Sequence, residues 1–112
     1  MAMEDSMLSP SFLEEQYADA QPSQTEVRIS LMAAASMVEY GGYEAAAGLL
    51  PGNHYRKARG EGCYHLRVTD QGAFLHWDQW DPRRSPVRHF FESPALVLPV
   101  VAAAVVVMAV RK

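Results

Sequence analysis

The chain has 112 residues, of which 49% are hydrophobic and 21% charged, a composition typical of one folded globular domain rather than of a disordered protein. Its single cysteine, Cys63, excludes an internal disulfide bond and any site built from paired cysteines. The formal net charge of -3 argues against affinity that depends on neutralising phosphates, so a nucleic acid is not an expected partner.

Charge is divided unevenly along the chain. Residues 1–44 carry eight acidic side chains and one basic side chain, a net charge of -7, whereas residues 51–94 carry seven basic and five acidic side chains, a net charge of +2. This asymmetry favours either packing of the two parts against each other or attraction of an anionic partner to the middle of the chain. The first explanation requires no ligand.

The N-terminal residues predict a flexible leader over 1–22, followed by a single α+β domain over 23–112. The first 25 residues contain several acidic side chains and no apolar run long enough for a secretory signal, so we expect a cytoplasmic protein. Ser23 and Glu26 form the pattern of a capping box, which predicts a helix over 24–40. Gly41 and Gly42 would end it, and "YEAAAGLL" predicts a second, short helix.

The segment "AAGLLPGNHYRKA" resembles the bacterial helix-turn-helix pattern, in which two alanines and two leucines precede a turn and a basic recognition helix. The resemblance is confined to this segment and implies DNA binding. The segment departs from the pattern at Pro51-Gly52-Asn53, and Gly60 and Gly62 shorten the basic part further. Too few residues are left for a full recognition helix.

The clearest pattern is an antiparallel β-hairpin within residues 63–80. Tyr64, Leu66 and Val68 alternate with polar residues, and the alternation resumes at Leu75 and Trp77 after a glycine-containing turn. A two-residue turn would be Gln71-Gly72, and a four-residue turn would shift the pairing by two and keep the same faces. One face of the hairpin is predicted to cover a core. The other face, which we expect to be exposed to solvent, carries a set of polar side chains: His65, Arg67, His76 and Asp78.

Two imidazoles and a carboxylate on neighbouring strands are suitable ligands for a divalent metal ion, or could form a His–Asp acid–base pair. His89 completes a candidate metal set of His65, His76, Asp78 and His89, and Glu92 lies close to it in sequence. This hypothesis predicts a metal-dependent hydrolase or nuclease. The alternative is a polar, solvent-facing side of the hairpin with no metal and no cofactor.

The stretch "DQWDPRRSPVRHFFESP" combines proline, aromatic residues and arginine. Trp and Arg are the residue types that anchor protein interfaces, which predicts a partner-binding surface formed by Trp80, Arg83, Arg84, Arg88, Phe90 and Phe91. Pairing of these arginines with the acidic N-terminal half is the alternative. No complete catalytic constellation is evident, so the leading hypothesis is a small non-catalytic interaction module of the accessory, inhibitor or immunity-protein kind, acting on a protein partner or as a homo-oligomer.

The segment "ALVLPVVAAAVVVMAV", residues 95–110, contains no charged or hydrogen-bonding side chain. A helix that is apolar on every side must be buried on every side, and three alternatives meet this requirement. The segment could form an apolar C-terminal core helix of the α+β domain, an interface within an oligomer or complex, or a membrane anchor. The last alternative describes a bacterial tail-anchored protein with a cytosolic head. The valine content is also compatible with a β-strand in place of the helix.

Overall fold

A computed structural model describes residues 8–92 of the chain. Helix α1 (Pro10–Leu13) begins at Ser9, whose hydroxyl accepts a hydrogen bond from the Phe12 amide, and it continues into one π-helical turn, Glu14–Ala18. Leu13 and Ala18 are fully buried. This helical segment lies within the predicted leader 1–22 and adds apolar side chains to the core.

The centre of the fold is a five-stranded antiparallel sheet, which confirms the α+β class. Its strands are β1 (Val27–Ile29), β2 (Glu44–Ala46), β3 (Asn53–Arg59), β4 (Gly62–Thr69) and β5 (Gly72–Asp78). They lie in the order β1-β5-β4-β3-β2. Helix α2 (Leu31–Tyr40) connects β1 to β2, and helix α3 (Pro86–Glu92) follows β5.

Two predicted helices differ from the observed structure. Helix α2 begins seven residues later than 24, because Ser30 rather than Ser23 caps it by accepting a hydrogen bond from the Ala33 amide, and residues 27–29 pair with β5 instead. The predicted second helix is strand β2, and the basic segment after it is strand β3. The resemblance to a helix-turn-helix is therefore not realised, because its would-be recognition helix is a strand in the middle of the sheet.

The β4–β5 hairpin is confirmed, with a turn one residue earlier than predicted. Thr69 pairs with Gly72, so the two turn residues are Asp70 and Gln71, and Leu66 lies opposite Leu75. This change of register moves the pairing by two residues and keeps every side chain on its predicted face.

One face of the sheet is covered by α2 and by the N-terminal helical segment. Each fully buried leucine in this core contributes roughly 2 kcal/mol through removal of apolar surface from water. The buried hydrophobic residues here are Leu13, Ala18, Ile29, Ala33, Ala34, Met37, Tyr43, Tyr64, Leu66, Ala73 and Leu75.

A small polar network lies within this apolar layer. The buried Glu14 carboxylate accepts a hydrogen bond of 2.7 Å from the Tyr43 hydroxyl and pairs with the Lys57 ammonium at 2.9 Å. Because each buried polar group has a partner, the network links the N-terminal helical segment to β3 without leaving an unpaired carboxylate.

The apolar segment predicted over 95–110 lies outside the described residues, as do residues 1–7. Among the elements formed by residues 8–92, no helix combines the length and apolarity needed to cross a bilayer.

Candidate metal centre

The second face of the sheet gathers the polar side chains of three adjacent strands. Residues that pair across antiparallel strands share a face. His65 of β4 pairs with His76 of β5 on one side and with Arg56 of β3 on the other. Cys63 pairs with Asp78 one pleat further along. The sheet register therefore places these side chains together.

This polar face is buried, which corrects the prediction of a solvent-exposed hairpin face. Fractional exposures are 7% for His65, 7% for His76 and 1% for Asp78. Residues of the β2–β3 connection, including Leu50, and of the segment that ends in α3, including Phe90, line the same pocket and cover the sheet there. Titratable groups so enclosed are unusual in a surface that serves only solubility.

Three imidazoles form a continuous row across β3, β4 and β5. Nδ1 of His54 lies 2.7 Å from Nε2 of His65, and Nδ1 of His65 lies 3.3 Å from Nε2 of His76. Gly48 permits the close approach of the chain to the first ring, since a Cβ there would lie 2.2 Å from Nδ1 of His54. Each ring is thus held by its neighbours and by the β2–β3 connection.

The hydrogen bonds determine the tautomers at one end of this row. The Leu50 carbonyl, 2.7 Å from Nε2 of His54, can only accept, so this nitrogen carries the proton. Nδ1 of neutral His54 is then an acceptor for Nε2–H of His65. Nδ1 of neutral His65 is left with an unshared electron pair directed toward His76.

Burial lowers the pKa of His65 to about 3, and the positive charge of Arg56 acts in the same direction. His65 is therefore neutral at physiological pH, in agreement with the tautomer that the hydrogen bonds require. A neutral imidazole is the form that binds metal ions.

The two oxygens of Asp78 have different neighbours. Oδ2 accepts a hydrogen bond of 2.8 Å from Nη1 of Arg56, which also lies 3.2 Å from Sγ of Cys63. Oδ1 lies 3.0 Å from Nε2 of His76, but the contact lacks the alignment of a hydrogen bond, and Oδ1 is buried without a donor. Burial acts to raise the pKa of Asp78, but His76 and Arg56 outweigh it and hold the pKa below its usual range.

The arrangement has the dimensions of a metal-binding site. His65, His76 and Asp78 each offer one ligand atom within 4.8 Å of the others. Two ligands bound at 2.0–2.1 Å to a tetrahedral ion are separated by about 3.3 Å. The observed separations are 3.3 Å between the two imidazole nitrogens and 3.0 Å between Nε2 of His76 and Oδ1 of Asp78. Two of the three ligand pairs therefore have separations close to those of a tetrahedral site.

A second group of candidate ligands is Asp78, His89 and Glu92, which also lie within 4.8 Å of one another. The Glu92 carboxylate already accepts hydrogen bonds from the Ser23 hydroxyl and the Gln24 amide. Its oxygens therefore anchor α3 to the segment before β1, and the first group is the better metal site.

All four histidines of the chain line one pocket of about 450 Å³. Nδ1 of His89 lies 3.0 Å from the Trp80 carbonyl, which can only accept, so Nε2 is the unprotonated nitrogen of this ring when it is neutral. The pocket lining also includes polar and apolar side chains from four parts of the chain: Gln24, Glu26, Leu49, Leu50, Arg56, Pro82, Pro86 and Phe90.

Of the predicted metal set, the structure brings His65, His76 and Asp78 together, and His89 lies in the same pocket beside Asp78 rather than beside the other two imidazoles. Sequence reasoning missed His54 and Arg56. Polar and apolar residues do not alternate in "NHYRKA", so no period-two strand signal marked residues 53–58, and the comparison with a recognition helix favoured a helix there.

Cys63 is not an additional anionic ligand. Burial raises the pKa of the thiol to about 11 despite the opposing effect of Arg56. The side chain therefore remains a neutral thiol near Asp78, with Sγ 4.0 Å from Oδ2.

The predicted partner-binding residues are distributed around the rim of the fold. Arg83 binds the buried Asp81 carboxylate through two nitrogens, the Arg88 guanidinium lies over the Trp80 ring, and Phe90 packs edge-to-face on Phe91. Nη1 of Arg84 donates to the Gly60 carbonyl at 3.4 Å. Most of these side chains therefore have intramolecular partners, and a partner-binding role for them stays a prediction.

Comparison with known proteins finds no matching family model, no matching curated protein and no matching solved structure.

Proposed function

We propose that this protein is a metal-dependent hydrolase whose divalent ion is bound by Nδ1 of His65, Nε2 of His76 and Oδ1 of Asp78. The observation that carries the proposal is that the three side chains each offer a ligand atom within 4.8 Å of the others, with Nε2 of His76 lying 3.3 Å from Nδ1 of His65 and 3.0 Å from Oδ1 of Asp78. Oδ1 of Asp78 accepts no well-aligned hydrogen bond although it is buried, and a cation next to it and Nε2 of His76 would satisfy it.

The surrounding contacts support a site that orients its ligands. The chain of hydrogen bonds from the Leu50 carbonyl through His54 sets the tautomer of His65, and Arg56 fixes the rotation of the Asp78 carboxylate. Such outer contacts are a common feature of metal sites and strengthen binding by their ligands.

Three protein ligands leave a coordination position open, which is the arrangement of catalytic rather than structural zinc sites. A bound divalent ion lowers the pKa of water at that position toward 7. The pocket provides space for a substrate next to the ligands, and two imidazoles with one carboxylate form a donor set suited to zinc.

His89 is the candidate general base, because Nε2 of its neutral form has no proton and the side chain lines the pocket. In the hydrolysis of an ester, the water oxygen forms a bond to the acyl carbon or to phosphorus, and one water proton passes to Nε2 of His89. The ester bond then breaks, and the leaving alkoxide receives that proton.

The test is metal analysis of untagged protein, followed by chelation, dialysis and titration with zinc. We expect one zinc ion per chain, and zinc-dependent hydrolysis of 4-nitrophenyl acetate or 4-nitrophenyl phosphate. His76→Gln should abolish both uptake and hydrolysis, whereas His89→Gln should keep the ion and lose hydrolysis.

Two results would overturn the proposal. The first is the absence of stoichiometric uptake of any divalent metal by folded protein. The second is stoichiometric iron instead of zinc, which would indicate redox chemistry, since two His and one carboxylate also form the ligand set of non-haem iron oxygenases.

A protein-interaction role is the second candidate function. Val87 and Phe91 on α3 are each 66% exposed, and they lie beside Arg88 and its stacked Trp80. Exposed apolar side chains next to Arg and Trp are typical of interfaces. If this surface joins two copies of the chain, Phe91→Glu should convert a dimer to a monomer in light scattering, and a monomeric wild-type protein would exclude self-association.

A further inference from the structure

The Arg56 guanidinium is only partly used by the protein. The side chain is 5% exposed and lines the pocket. Both of the hydrogen bonds that it donates, to Asp78 and to Cys63, come from Nη1. Within residues 8–92, Nε and Nη2 have no hydrogen-bond partner, and neither belongs to the fully buried unpaired atoms. Three N–H groups of a largely buried, pocket-lining arginine are therefore not used by hydrogen bonds within this part of the chain.

The charges around Arg56 favour an anion once a metal ion is bound. Asp78 balances Arg56, and Glu26, which also lines the pocket, is balanced by Arg67 at 3.0 Å. Glu92 is outside the pocket lining, and its carboxylate accepts hydrogen bonds from Ser23, Gln24 and the Gln79 amide. The Glu92 carboxylate nevertheless lies within 4.8 Å of Asp78 and offsets one charge of the ion, so one positive charge of a divalent ion remains unbalanced.

We propose that the pocket binds a phosphate monoester, with its dianionic phosphoryl group held between Arg56 and the metal ion. This inference rests on the proposed metal centre. The planar fork of an arginine matches two oxygens of a phosphoryl group, and a third oxygen can occupy the open coordination position. Leu50, Pro86 and Phe90 provide apolar contacts for the alcohol part of the ester.

The reaction consumes one water molecule. The water oxygen forms a new bond to phosphorus, the bond from phosphorus to the ester oxygen breaks, and the leaving alkoxide takes up the proton that His89 removed from the water. The products are inorganic phosphate and an alcohol, so no oxidant or other co-reactant is needed.

The test is calorimetric titration of zinc-loaded full-length protein with inorganic phosphate and, separately, with acetate. We expect phosphate to bind at least about tenfold more tightly than acetate. Arg56→Lys keeps the charge but loses the fork, and it should weaken phosphate binding by about tenfold or more. Because Arg56 also orients Asp78, this titration is carried out at zinc saturation, and zinc affinity is measured separately with a chromogenic chelator. Arg28→Lys, at an exposed arginine outside the pocket, should leave both affinities unchanged.

A measurement on wild-type protein covers the case in which Arg56→Lys fails to fold. The Nε–H resonance of Arg56 should shift on addition of phosphate to zinc-loaded protein. Zinc uptake without phosphate binding, or without a shift of this resonance, would overturn the phosphate assignment and leave the metal centre intact. Acetate binding as tight as phosphate binding would overturn it in favour of a carboxylate substrate, and failure to take up zinc would overturn both proposals.

Discussion

His65 and His76 face each other across β4 and β5, with Nδ1 of the first 3.3 Å from Nε2 of the second. Their pairing depends on the two-residue turn at Asp70-Gln71, because that turn determines which residues of the hairpin lie opposite each other. A tight turn far from the pocket therefore sets the separation of two proposed metal ligands.

His54 should act as a positioning residue for the metal centre. We expect His54→Phe to lower zinc affinity by about 10- to 100-fold, because His65 would lose the acceptor that fixes its tautomer. Competition with a chromogenic chelator measures the affinity. Leu49→Ala, at an 88% exposed position of the same pocket, is the matched control and should bind zinc as the wild type does. Equal affinities of His54→Phe and wild type would show that the imidazole row does not support the metal.

The β4–β5 hairpin and part of the site were predictable from residue periodicity. The alternation in "YHLRV" placed His65 on the face opposite Leu66, and a two-residue change in register left that placement intact. Alternation cannot show whether a polar face meets solvent, since burial depends on distant segments such as the β2–β3 connection and α3. The burial of the polar face could therefore not be predicted from the sequence.

Local signals failed where two capping residues competed. Ser23 and Glu26 have the spacing of a capping box. Residues 27–29 nevertheless pair with β5 instead of forming the first turn of a helix, and the helix begins after Ser30. Tertiary pairing overrode local propensity there, as it did at "EAA", where alanines with high helix propensity form edge strand β2.

The stability of metal-free protein should fall as the pH drops below about 6.5. The folded pKa of His65, about 3, lies below the value of 6.5 for the unfolded chain. Between these values the unfolded state binds a proton at this residue and the folded state does not, so the free energy of unfolding decreases by about 1.4 kcal/mol per pH unit. The free energies of unfolding measured by urea denaturation at pH 7 and pH 5 should therefore differ by about 2 kcal/mol because of His65.

His65→Gln is the control for this pH dependence, because its side chain does not titrate. The difference in unfolding free energy between pH 7 and pH 5 should shrink by about 2 kcal/mol in this variant, whatever its stability at neutral pH. An unchanged pH dependence would mean that His65 is protonated in the folded protein, contrary to the tautomer assigned from the hydrogen bonds.

Removal of one partner of the Arg56–Asp78 ion pair should lower the free energy of unfolding strongly, whereas replacement of both partners by apolar residues should lower it much less. Its two side chains are 6% and 1% exposed. Arg56→Met should lower the free energy of unfolding by about 3–5 kcal/mol, because the Asp78 carboxylate would remain buried without its partner. Arg56→Met combined with Asp78→Val removes both charges and should recover most of the loss in urea denaturation. A double variant as unstable as the single one would attribute the loss to packing rather than to the unpaired charge.

The Cys63 thiol should react slowly with alkylating reagents in folded protein. The side chain is fully buried, and burial raises the pKa of the thiol from its ordinary value of 9.0 to about 11, so the thiolate fraction at pH 8 is lower by about 100-fold. Mass spectrometry after exposure to iodoacetamide should detect alkylation at least about 100-fold slower in folded protein than in urea. Rapid alkylation of folded protein would identify Cys63 as an accessible thiolate. It would then compete with Asp78 as an anionic metal ligand, and the assignment of the centre to two imidazoles and one carboxylate would no longer hold.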